Sequence, residues 1–296
     1  MMCNLCPRRC NTKRTDTENL KGFCKMPLRP KVARAALHFW EEPIISGKNG
    51  SGTVFFSGCN LRCVFCQNSE ISHQGFGKEI SYERLAQIFK ELEALGAHNI
   101  NLVSPSHYVY AIKKALKLYK PNIPIVYNSG GYDSIEALRE LEGLIDIFLL
   151  DLKYLSPERA ALYSGAFDYP EISKKAILEA IRQQPENVIE KGIMKKGVII
   201  RHLLLPQGTK EAMAVFDWVR ENAAGTHFSI MSQYLPLSKA KEMPIINRPV
   251  TKREYEKVID YIIGSEYPYV FTQELKSARE EYIPLWNLEG VDSNNK

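Results

Sequence analysis

Residues Ser57 to Asn68 read SGCNLRCVFCQN, which places Cys59, Cys63 and Cys66 within eight positions of a chain that has seven cysteines in all. Directly upstream, GTVFFS at 52–57 is an unbroken apolar run that reads as a buried strand, so the three thiols lie on the loop leaving a strand. Thiolates at spacing x3 then x2 can wrap one compact metal centre. A structural zinc site takes four protein ligands and a catalytic one takes three plus water. An iron-sulfur cube needs one outside ligand for each of its four irons, and three cysteines leave one iron open.

Downstream of the loop, apolar runs alternate with helical periodicity. SYERLAQIFKELEALG at 81–96 carries apolar residues at Leu85, Ile88, Phe89, Leu92 and Leu95, with Ser81 as cap and Gly96 as stop. Strands follow at 99–104, 123–128, 146–152, 197–205 and 226–232. Helical stretches lie at 108–119, 134–141, between 156 and 184, at 209–222 and at 251–263. The strands are too continuously apolar to have a wet face, which means parallel strands covered by helices. Six strand-helix units suit an open doubly wound sheet or a partial barrel, and in both the chemistry sits on loops at the carboxyl ends of the strands. No repeat of fixed period and no low-complexity segment interrupts the series.

Composition narrows the class. The chain has 296 residues, 45% apolar and 25% charged, the balance of an ordinary globular protein. Its net charge of +5 is not gathered into long Lys/Arg runs, so neither nucleic acid nor a membrane surface is expected as a partner. No stretch is long and apolar enough for a signal peptide or a span, and a cytoplasmic location is expected. Thiols stay reduced there, which favours metal binding or catalysis over disulfides.

The spacing C-x3-C-x2-C, with the aromatic Phe65 just before the last cysteine, resembles the radical S-adenosylmethionine (SAM) superfamily. GCNLRCVFCQN and LLDLKY are most similar to relatives of pyruvate formate-lyase activating enzyme, over about residues 52–235. The N-terminal CNLCPRRC...GFC with HFWEEPIISG looks like an uncharacterised, activating-enzyme-like branch of them. The resemblance implies an α/β fold, a partial (β/α)6 TIM-like barrel with parallel strands. Cys59, Cys63 and Cys66 would hold a 4Fe-4S cluster whose open iron chelates SAM. Reductive cleavage would yield a 5'-deoxyadenosyl radical that takes a hydrogen from the substrate. A glycine of a glycyl-radical protein is the target that the resemblance suggests, and flavodoxin or ferredoxin the electron donor. Radical modification of a small molecule or another protein is the alternative; a non-catalytic metal-binding redox module is the alternative from another class.

Further residues gather around the same strand ends. LLDLKY places Asp151 and Lys153 after the fourth strand, where activating enzymes use an aspartate-x-lysine pair and the lysine meets the cofactor carboxylate. After the second strand this chain has VSPSHY instead of the Gly-Gly-acidic segment, which leaves Ser104 and His107 to receive the cofactor's amino group. Asn128, before Gly130 and Gly131, stands where relatives have an Asp-Thr-Asn-Gly stretch. Arg201 sits in a strand too apolar to bury it unpaired, so it points to a cofactor or substrate carboxylate or closes an internal ion pair. His202, on the opposite face, reads as a core histidine. Gln233, Tyr234 and the acids Glu41 and Glu42 are further candidates for the lining.

Residues 1–50 form an irregular, cysteine-rich N-terminal segment, 51–235 the barrel core and 236–296 a helical extension. Cys3, Cys6, Cys10 and Cys24 form C-x2-C-x3-C-x13-C, a closed set suited to zinc or to a second iron-sulfur cluster.

Overall fold

Every residue of Ser51–Phe56 is buried, because one edge of the pleat faces helices and the other faces the inside of a curved sheet. The computed structural model describes residues 2–18, 21–273, 275, 281 and 283–292. Its elements are, in chain order, β1 (Lys31–His38), α1 (Pro43–Ser46), β2 (Ser51–Phe56), α2 (Ser69–Ser72), β3 (Lys78–Glu79), α3 (Tyr82–Ala94), β4 (Ile100–Val103) and α4 (Val109–Leu118). They continue with β5 (Ile125–Ser129), α5 (Ile135–Arg139), β6 (Ile147–Asp151), α6 (Pro157–Ser164), α7 (Tyr169–Gln183), β7 (Val188–Glu190) and β8 (Ile193–Leu203). The series closes with α8 (Thr209–Asn222), β9 (His227–Met231), α9 (Lys252–Ile263) and β10 (Val270–Thr272).

The strands pair in the order β10-β9-β8-β6-β5-β4-β2-β1-β3, parallel from β2 to β10, with β1 and β3 antiparallel at the far edge. This is an α/β partial barrel. Its six expected parallel strands are β2, β4, β5, β6, β8 and β9, and β10 adds a seventh against β9. Beyond residue 235 the described residues include a short 3-10 helix at Ser238–Glu242, α9 and the strand β10. Likewise the first fifty residues contain β1, which pairs with the whole of β2. Among the described residues no helix is long and apolar enough to cross a membrane.

Alternation divides each strand between two apolar environments. Val54, Leu102, Tyr127, Phe148, Ile200 and Phe228 belong to the large core between sheet and helices. Val126, Ile147, Leu149 and Ile199 face inward, where Ile44 and Ile45 of α1 pack on them. The segment after β1 thus turns into the concave side and fills the lower barrel with its own side chains. Asn99 at the foot of β4 fixes it there by donating to the Ile45 carbonyl at 2.8 Å.

Helix starts follow the sequence signals. Ser81, Ser134, Ser156 and Thr251 cap α3, α5, α6 and α9 through their hydroxyls, the last in a full capping box with Glu254. At the carboxyl ends, β5 and β6 are drawn together around the buried Tyr169. Its hydroxyl accepts from the Lys153 amide at 2.9 Å and faces the carbonyls of Gly130 and Asp151 at 2.9 and 2.8 Å. Gly131 completes this junction with a left-handed φ of 77°, and a β-carbon there would lie 2.0 Å from the Asp151 carbonyl. Gly131→Ala should therefore lower stability by at least the ~1–3 kcal/mol of backbone strain, read as a lower urea midpoint; an unchanged midpoint would contradict this close approach.

Candidate functional site

A cavity of about 230 Å³ opens at the carboxyl ends of the parallel strands. Cys59, Cys63, Cys66 and Phe65 line it from the loop after β2, Ser104 from the end of β4, Asn128 from β5, Asp151 and Lys153 from β6, and Arg201 from β8. Glu41, Gln233 and Tyr234 also reach it. Residues far apart in the sequence meet because parallel strands all present their carboxyl ends on one side.

The three thiols are supported individually. The Leu61 amide donates to Cys59 Sγ at 3.4 Å; Cys63 Sγ lies 3.0 Å from Ser164 Oγ, and Cys66 Sγ lies 3.2 Å from Ser72 Oγ. Burial pushes the Cys59 thiol up to about 12 and the Cys66 thiol to about 11, and the mutual charge of the set adds to it. Without a positive centre the loop keeps its protons, so loading a metal must release them. Ser72 and Ser164 were not legible as site residues, because their distance from the cysteine loop is closed only by the packing of α2 and α6.

Deeper in the cavity lies a charge network. Asp151 accepts from Lys153 Nζ on one oxygen and from Arg201 Nε at 2.9 Å on the other. Arg201 also donates to Glu41 at 3.1 Å and to Asn128 Oδ1 at 2.7 Å, while Asn128 Nδ2 donates back to Glu41 at 3.1 Å. Arg201 thus closes an internal ion pair. Burial opposes charge on Asp151, yet Lys153 and Arg201 hold it below the usual carboxylate range. The same pairing keeps Lys153 and Arg201 charged in spite of their burial. His202, one residue on, turns outward and bonds the Leu152 carbonyl at 2.8 Å.

Of the pair after the second strand, Ser104 reaches the cavity and His107 does not. Ser104 lines the cavity in a left-handed backbone conformation, φ 59°. His107 does not line it: its Nε2 lies 2.8 Å from the Ser57 carbonyl and its ring faces the N-terminal segment beside Cys3, Cys6, Cys10 and Cys24. Beyond Ser104 the chain has left the strand, and strand alternation no longer says which way a side chain points. Tyr234 reaches the cavity, but its hydroxyl is tied to the Ile246 carbonyl at 2.7 Å, and its ring stands edge-on to Phe65. Trp40, exposed at the rim, joins the lining without a sequence signal.

The donor set fits a cluster with one free corner. Three thiols and no fourth cysteine share the cavity, and beside them are a paired lysine and arginine suited to a carboxylate ligand. A β-carbon at Gly130 would crowd Leu61 Cδ1 at 3.1 Å and meet Lys153 Cε at an ordinary 3.6 Å.

Comparison with known proteins agrees with this geometry. Residues 53–219 match the family described as Radical SAM superfamily. An uncharacterized protein, MJ0674, of Methanocaldococcus jannaschii is 33% identical over 267 residues, covering 87% of this chain and 73% of that one. Among solved structures, Streptococcus suis SuiB bound to S-adenosylmethionine superposes with a TM-score of 0.53 at 17% identity, over 76% of this chain and 50% of that one. SuiB bound to its precursor peptide SuiA gives 0.54 at 16%, over 75% and 48%, so the chain spans about half the length of SuiB. Methylornithine synthase (PylB) gives 0.52 at 13%, over 89% of this chain and 75% of that one. At these identities the structural likenesses establish the fold.

Glu42, buried behind Glu41 with Oε2 3.9 Å from Arg201, is the weak point of the network. Burial raises its pKa from 4.5 to about 7, and Arg201 only partly opposes this. The unfolded chain gives up this proton near 4.5 and the folded chain near 7, so between the two the folded state holds more protons. Stability should fall as pH rises through that window and level off above it. Glu42→Gln should flatten this part of the melting-temperature profile, and parallel profiles for the two proteins would refute the assignment.

Proposed function

The chain belongs to the radical SAM superfamily, and from that premise we propose that it is an enzyme that cleaves S-adenosylmethionine reductively and abstracts hydrogen from a polypeptide substrate. The observation that carries this reading is the single cavity shared by Cys59, Cys63, Cys66 and the Asp151–Lys153–Arg201 network. A 4Fe-4S cluster with one free corner, when bound, supplies the electron that splits the sulfonium into methionine and a 5'-deoxyadenosyl radical.

The protein's part is binding, orientation and exclusion of water. Cys59, Cys63 and Cys66 hold three corners of the cluster. Lys153 offers an ammonium to the methionine carboxylate, and Asp151 holds that ammonium by its second oxygen while the first stays on Arg201. Ser104 and Asn128 present polar atoms to the amino end of the same ligand. Phe55, Leu61, Val103, Leu203 and Met231 add an apolar part to the lining, and apolar surface of this kind helps to keep water from a reactive carbon radical.

A reductant is needed, for which flavodoxin or ferredoxin is suited. The glycine of a glycyl-radical protein is the first substrate to test. The resemblance to activating enzymes supports it, as does a rim that carries the exposed Trp40 beside the cavity mouth.

Anaerobic reconstitution with iron and sulfide, followed by dithionite and SAM, should accumulate 5'-deoxyadenosine, and Cys63→Ala should abolish it. Lys153→Ala should retain iron but bind SAM about 10- to 100-fold more weakly, as expected for losing ~1.5–3 kcal/mol of a charge-assisted contact. No deoxyadenosine from protein with an intact cluster would sink the proposal. Adding a candidate glycyl-radical protein and recording its paramagnetic resonance spectrum tests the substrate separately.

A further inference from the structure

A second group of metal-ligating side chains lies outside the cavity. Cys3, Cys6, Cys10 and Cys24 are all free thiols, and together they line one small enclosure with Arg8, Phe23, Asn60 and His107. Three of the four are buried. Arg9, Asn11 and Lys25 take left-handed φ values of 41°, 49° and 55° in the turns that carry the cysteines. Non-glycine residues hold such backbone only where the surroundings over-determine it. Of the described residues between 2 and 29, Cys24 and Met26 are the ones that join the large apolar core.

His107 adds an independent observation. Because Nε2 faces a carbonyl acceptor, it must carry the ring proton, which leaves Nδ1 as a bare lone pair. That Nδ1 is buried and has no hydrogen-bond partner among the described residues.

We infer that Cys3, Cys6, Cys10 and Cys24 hold a zinc ion that staples the N-terminal segment to the back of the cysteine loop at Cys59–Cys66. The enclosure is separate from the larger cavity that faces the other three cysteines, and four cysteines line it. Four thiols are the donor set of a closed structural zinc site. Among the described residues no three ligand side chains are gathered as closely as a bound ion requires, so coordination draws the sulfurs inward, and their protons pass to solvent.

The staple acts on the loop through short bonds. Arg8 donates to the Asn60 carbonyl at 2.8 Å and to the Gly165 carbonyl at 2.7 Å. Arg62, inside the loop, donates to the Phe23 carbonyl at 2.7 Å, and the Phe23 amide donates to Cys10 Sγ at 3.2 Å. Both guanidiniums lie against the Phe23 ring, at 3.9 and 4.8 Å from its centre. Asn60, which lines the enclosure, is adjacent to Cys59, which lines the cavity.

The test uses full-length protein purified without air from medium containing both metals, with zinc, iron and sulfide counted per chain. The combined variant Cys59→Ala, Cys63→Ala, Cys66→Ala should keep about one zinc per chain while losing its iron, which separates this inference from the proposed enzyme activity. Cys6→Ser with Cys24→Ser should lower zinc at least tenfold, whereas Cys10→His in the otherwise unaltered chain leaves three cysteines and one histidine and should retain the ion. Cobalt(II) replacing zinc in the first variant should give thiolate charge-transfer absorption. Removal of zinc should raise amide exchange at 58–66. Iron and sulfide in place of zinc in the first variant, zinc content indifferent to the Cys6 and Cys24 changes, or unaltered exchange after zinc removal would each overturn the inference.

Discussion

A guanidinium taken out of water has to be paired, and the pairing of Arg201 gathers four separate segments onto one point. Asp151 answers it from the neighbouring strand β6, Asn128 from β5, and Glu41 from the segment that enters the barrel ahead of α1. Leaving any one of these charges alone in the interior would be strongly destabilising, far more than the net worth of the pair itself. The network therefore sets the height at which the barrel changes from an apolar floor to a polar chamber. Below it lie Val126, Ile147, Leu149 and Ile199 under α1; above it lie the three thiols.

That arrangement also bears on the role proposed for Lys153. Its ammonium is held against Asp151 before any ligand arrives, so a carboxylate entering the chamber meets a cation already fixed in place and already desolvated. Pre-organisation of this kind lowers the ordering cost of binding. The three thiols lie at one end of the chamber and the acid–base cluster at the other.

The N-terminal residues belong to the same construction on the other side of the cysteine loop. β1 lies antiparallel on β2, and Leu288 and Glu289 bond to β1, so residues 288–289 are tied through β1 to the strand that leads into the cysteine loop. Arg8 and Arg62 cross between the N-terminal turns and the loop. A loop that must present three thiols in fixed directions gains rigidity from support on both faces.

The cysteine spacing, the six apolar runs and their helices were legible because each depends on neighbours in sequence: ligand spacing along a loop, period 2 in a strand, period 3.6 in a helix. β1 was not, since KVARAALH has no regular alternation and became a strand only by pairing with β2. Nor was β10, three residues long and held by β9. Asp151 and Lys153 could be named because LLDLKY resembles the aspartate-x-lysine pair of the activating enzymes, and Arg201 because it interrupts an apolar strand, but that Arg201 is shared among Asp151, Glu41 and Asn128 is a property of strands brought side by side. His107 was assigned to the wrong neighbourhood for a similar reason: past the left-handed Ser104 no periodicity governs direction, and only packing sends the ring to the N-terminal cysteines. What the sequence determined alone were the ligand types and the barrel's alternating elements, which are local; which chamber each side chain enters was decided by the tertiary structure, because burial and charge pairing act across space and not along the chain.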